Sequence, residues 1–161
     1  MEGEYIISVL FSVWGGEHGM FKRGREGILV LTNKRIAFIS KTDMDIDSWK
    51  REVDTQVKEL YKNKDAIRVP KTYTLDMLNN DARYEKNVVI PLKSIVELSS
   101  EKKRWGTLLI IAFKNNNDSI IKYSFSVVRS WIRYPVADPI EHEHVDWDGW
   151  IRLARKHMDI A

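Results

Sequence analysis

The residues most able to do chemistry are cations set beside apolar side chains. Met20-Phe21-Lys22-Arg23-Gly24-Arg25 lies in a glycine-rich stretch between two strand-like segments. Met20 and Phe21 can wedge into a lipid interface while Lys22, Arg23 and Arg25 meet anionic head groups, each cation contributing about 1 kcal/mol near such a surface. A second basic cluster, Lys102-Lys103-Arg104, precedes Trp105. In a sheet that alternates up and down, the turns after strands one, three and five emerge at one end, so both clusters are expected around one opening. Arg129-Ser-Trp131-Ile-Arg133-Tyr134 alternates cations with aromatics, a pattern that stacks bases, but it is short and isolated, and nucleic acid is not the expected partner. His142 and His144 are the weak metal candidates, since alternate residues of an extended segment point the same way. Asp146 beside them suits a helix N-cap better than a ligand. No nucleophile elbow, phosphate-binding loop or metalloprotease helix is present, so the chain is expected to be non-catalytic, with no cofactor.

The elements that must hold these residues follow from periodicity. Tyr5–Trp14 is β-branched and aromatic and reads as a strand stopped by Gly15-Gly16. Gly27–Thr32 and Arg35–Ser40 read as a hairpin, with Ile28, Val30 and Thr32 on one face and Leu29 and Leu31 on the other. Asn33 suits its turn because asparagine tolerates positive φ. The period then changes to three and four: Ile46, Trp49, Val53, Val57 and Leu60 stripe an amphipathic helix over about residues 44–62, with Asp43, Asp45 and Asp47 at its start. Trp49, Val53 and Val57 are a candidate partner surface for a homo-oligomer, the alternative being packing on the chain's own sheet. Thr74–Asn79 reads as a short helical turn. Four further strands follow: Val88–Leu92, Ser94–Ser100, Trp105–Phe113 and Ser119–Val127, the last two joined by the turn signal Asn115–Asp118. The last element is a helix over 146–158 striped by Trp147, Trp150, Ile151, Ala154 and Met158.

The 161 residues suit one domain, 1–161, with 41–87 as a helical insertion between strands three and four. That insertion carries ten basic and ten acidic residues and so adds no net charge. The whole chain is only +3, too little to argue for nucleic acid. Without cysteine there are no disulfides and no thiol chemistry, which fits a reducing cytosol. Met1-Glu2-Gly3-Glu4 lacks the basic start of a secretory signal, and no run approaches the roughly 20 apolar residues that span a bilayer. The expectation is a cytoplasmic protein, peripheral to a membrane at most.

Gly27-x-Leu29-x-Leu31-Thr32-Asn33-Lys34-Arg35-Ile36-x-Phe38 resembles the hairpin of GRAM domains and bacterial pleckstrin-homology-like domains. Val89-Ile90-Pro91-Leu92-Lys93-Ser94-Ile95 is similar to the strand pair that follows it in those families, and the terminal helix with inward tryptophans is similar too. The resemblance covers about residues 3–40 and 88–158; 41–87 departs from it. It implies a seven-stranded antiparallel bent sheet or barrel capped by a C-terminal helix. It also implies a binding role, with lipid head groups, peptides or a second copy as partners. The family's first strand–loop–strand matches Lys22, Arg23 and Arg25.

Overall fold

The computed structural model describes residues 3–19, 24–128 and 142–160. Among them seven antiparallel strands form one bent open sheet in the order β4-β3-β2-β1-β7-β6-β5. The strands are β1 (Ile6–Glu17), β2 (Arg25–Thr32), β3 (Arg35–Ile39), β4 (Val88–Pro91), β5 (Ile95–Lys103), β6 (Gly106–Lys114) and β7 (Ile120–Val127). Helices α1 (Ile46–Lys62) and α2 (Leu75–Asp81) lie between β3 and β4, and α3 (Asp148–Ile160) closes the chain. No helix among the described residues is long and apolar enough to cross a membrane.

The hairpin alternation holds, but both faces are buried. Leu29, Leu31, Ile36 and Phe38 point into a concave core with Leu109, Ile111, Phe125 and Val127. Helix α3 plugs that core with Trp150, Ile151 and Ala154, joined by Trp147 just before it. Ile28, Val30, Ala37 and Ile39 face the other way, against Trp49 and Val53 of α1 and Leu78 of α2. Trp49 and Val53 are each only 5% exposed, and Val57 packs against the same cluster. The stripe offered above as a partner surface is therefore consumed inside the fold, because a two-faced apolar hairpin needs a second cover. Ile46 is the exception at 53% exposed.

β1 is bent. Its register with β2 slips between Leu10 and Val13, and Ser12 there takes a positive φ of 53°. Only Val13–Glu17 pairs with β7. The free edge of the first half is filled by the insertion: Val9 N donates to Arg68 O (2.8 Å) and Ser8 Oγ to Ala66 O (2.8 Å). At the bulge, Gln56 of α1 stands in for a strand, accepting from Phe11 N (2.7 Å) and donating to Phe11 O (2.6 Å).

Two expectations change in detail. Asn33 keeps an ordinary negative φ; its side chain instead accepts from Tyr5 N (2.9 Å) and donates to Gly3 O (3.1 Å). Thr32 Oγ1 closes the turn by accepting from Lys34 N and Arg35 N, both at 3.0 Å. Asp146 lies two residues before α3 and accepts from Asp148 N (2.9 Å), bracing the entry to the helix.

Candidate functional site

The basic clusters part company. β7 is antiparallel to β1, β6 antiparallel to β7 and β5 antiparallel to β6, so β5 ends at the opposite side of the sheet from the end of β1. Lys102, Lys103 and Arg104 therefore stand away from the β1–β2 loop, and the expectation of one shared opening is corrected. The alternation counted along the chain fails at the short 3-10 turn Leu92–Ser94, which carries the chain from β4 to β5, a strand that does not pair with β4. The turn that joins the β1–β2 loop at its end is β6–β7, as the bond from His18 N to Lys122 O (2.8 Å) records.

That end of the sheet holds a cleft of about 250 Å³ lined by Gly15, Gly16, Glu17, Gly24, Arg25, Phe38, Lys86, Val88 and Tyr123. Each element contributes by necessity. Gly15 brings the β1 backbone against aromatic rings: a Cβ there would lie 2.7 Å from Phe125 and 2.9 Å from Phe38. Phe38, Phe125, Tyr123 and Phe113 then run in sequence, with ring centroids 5.1, 6.0 and 6.0 Å apart. Lys86 is delivered by its neighbour. Asn87 Oδ1 accepts from Ser40 N and Lys41 N (2.8 Å each), and Asn87 Nδ2 donates to Lys41 O and Asp81 O (2.7 Å each). His18 fixes the start of the loop, its Nδ1 lying 2.7 Å from Ser124 Oγ.

Arg25 and Lys86 are exposed cations of this lining, and Glu17 is its single carboxylate. Burial, and then Glu17, push the Tyr123 phenol above its ordinary range against the opposing pull of Arg25, so it stays a neutral donor. The arrangement can hold an anion over an aromatic floor. It pairs no nucleophile with a base.

Of the residues named from sequence, Arg25 belongs to this cleft. Met20, Phe21, Lys22 and Arg23 lie outside the described residues, as does the 129–134 segment. Lys86 was hidden in the charge-neutral insertion; its signal is the Asn87 that follows it and clamps the crossing. Lys102, Lys103 and Arg104 are exposed at the β5–β6 turn beside Trp105, which is 45% exposed. His142 is engaged elsewhere: its Nδ1 lies 2.7 Å from Ser126 Oγ and its ring 4.5 Å from that of Trp105. Burial holds its pKa below the ordinary histidine range. His144 is exposed, and no group of three or more His, Asp or Glu side chains among the described residues could hold a metal ion.

No protein-family model matches the chain, and neither a curated protein nor a solved structure matches it significantly.

Proposed function

We propose that the protein is a non-catalytic binding module of the pleckstrin-homology-like kind, which takes the head group of an anionic lipid in the cleft at the end of β1. The observation that carries this reading is that Arg25 and Lys86 line one cleft together with Phe38 and Tyr123, where Gly15 lets the β1 backbone close on the aromatic rings. The resemblance of the Gly27–Phe38 hairpin, with the terminal helix seated in the concave face, supports the same assignment.

Vesicle co-sedimentation tests it. The wild-type protein should pellet with vesicles containing anionic lipid at low salt and be released as salt rises. Arg25→Glu with Lys86→Glu should weaken binding at least about tenfold, since two attractive charges of about 1 kcal/mol each are reversed. Absence of wild-type binding at low ionic strength, or a double variant that binds equally, would sink the proposal.

A further inference from the structure

The sheet has two edges of unequal quality. β4 is four residues long and ends in Pro91, a short edge that resists pairing. β5 has nine residues and, among the described residues, pairs only with β6. The β5–β6 hairpin closes through Arg104–Trp105 on the Lys103–Gly106 pair. A two-residue turn closes on a hydrogen-bonded pair, so Lys103, Glu101 and Ser99 turn their backbone groups to β6, while Lys102, Ser100 and Leu98 turn theirs off the edge. Arg155 of α3 confirms the phase. Its Nη2 donates to Leu98 O at 2.7 Å, where the amide of a next strand would stand. Beside it a groove of about 510 Å³ runs between Ser99 and Ser100 on the strand and Ile151, Arg152 and Arg155 on the helix.

The edge complements itself. Laid antiparallel to a second β5 about Ser100, Glu97 stands opposite Lys103 twice over, and the outward backbone groups of Leu98 meet those of Lys102. The two neighbouring registers that also match outward groups, centred on Ser99 and Glu101, set Glu97 against Glu101 or Glu101 against itself. Like charges directly opposite are unfavourable, so charge selects the register centred on Ser100. The present ion pairs do not prevent this. Glu97–Lys122 and Glu101–Lys103, each at 3.3 Å, are solvent-exposed and exchange partners at little cost.

We infer that a second copy of this chain adds to the β5 edge in an antiparallel, two-fold arrangement centred on Ser100, independently of the cleft. The second copy's Lys102 amide replaces Arg155 at the Leu98 carbonyl, and the two sheets become continuous.

Sedimentation velocity across a concentration series tests it. The wild-type protein should show a concentration-dependent monomer–dimer equilibrium that weakens with salt. Glu97→Lys and Lys103→Glu each place like charges opposite at both pairs and should weaken association about tenfold or more. Mixing the two variants should restore it, since each chain then meets opposite charge at both positions. Both sites are surface positions, and circular-dichroism melting checks that each variant is folded. A wild-type protein that stays monomeric at every concentration, or a mixture that associates no better than either variant alone, overturns the inference.

Discussion

Glu26 shows how one side chain records the bend in the sheet. It stands opposite Trp14 on β1, accepts from Ser12 Oγ at 2.9 Å through Oε1, and leaves Oε2 buried without a hydrogen-bond partner. Burial pushes its pKa up to about 7, with the Ser12 bond pulling the other way. The folded pKa lies above the unfolded one, so as pH rises the unfolded chain releases this proton first. Its contribution therefore lowers stability as pH climbs from about 4.5 to about 7, and levels off above that. The loss is at most roughly 3 kcal/mol. Glu26→Gln should flatten that slope and raise the melting temperature at pH 8 relative to wild type. A change in unfolding free energy between pH 5 and pH 8, read from urea titrations, that is the same in wild type and variant would refute it. The sequence presents Glu26 as an ordinary charge at the start of a strand. It sits beside the register slip at Ser12, whose positive φ the residue type does not announce.

At the scale of elements, the period-three-and-four stripe of α1 was legible because its buried side chains repeat along one face. What it packs on was not, since an apolar stripe fits a partner as well as its own sheet. The informative residue is the polar one within the stripe. Gln56 is 1% exposed and takes both backbone groups of Phe11. Arg68 reinforces it with bonds to Gln56 Oε1 (3.2 Å) and Glu59 (2.8 Å). Gln56→Ala should cost about 2–3 kcal/mol by leaving the Phe11 amide and carbonyl buried and unpaired. Lys58→Ala on the exposed side of the helix should change stability by no more than about 0.5 kcal/mol, both read from urea midpoints. Glycines allow a second ordering. A Cβ on Gly27 would lie 2.5 Å from the Ile39 carbonyl oxygen, whereas one on Gly15 meets only rings. Backbone held in a ladder yields less than a ring, so Gly27→Ala should destabilise more than Gly15→Ala, against a usual overpacking cost of about 1–3 kcal/mol. The opposite order in thermal melts would contradict this.

For the whole molecule, the separation of the basic clusters makes a prediction that the sequence alone would have reversed. If the cleft is the lipid site, the triple change Lys102→Glu, Lys103→Glu and Arg104→Glu should leave vesicle pelleting close to wild type. Loss of pelleting equal to that of the Arg25 and Lys86 variant would move the site to the β5–β6 turn. Seven strands and the terminal plug were readable from alternation and turn residues. Their arrangement was not, because it turns on β4 and β5 failing to pair, and on the last strand returning to the first.

That return bears on how the chain is made. Val13 at the middle of β1 pairs with Val127 in β7, so the second half of the first strand lacks one neighbour until a segment more than a hundred residues later has left the ribosome. β2, β3 and the insertion can assemble on β1 from nearer contacts, whereas β7 must close a loop of more than a hundred residues, a slow step by loop entropy. The N-terminal half should therefore gain amide protection first in pulse-labelled refolding, with β7 and α3 protected together and last. Until then the aromatic ladder under the cleft is unfinished: competence to bind would be the final property the chain acquires.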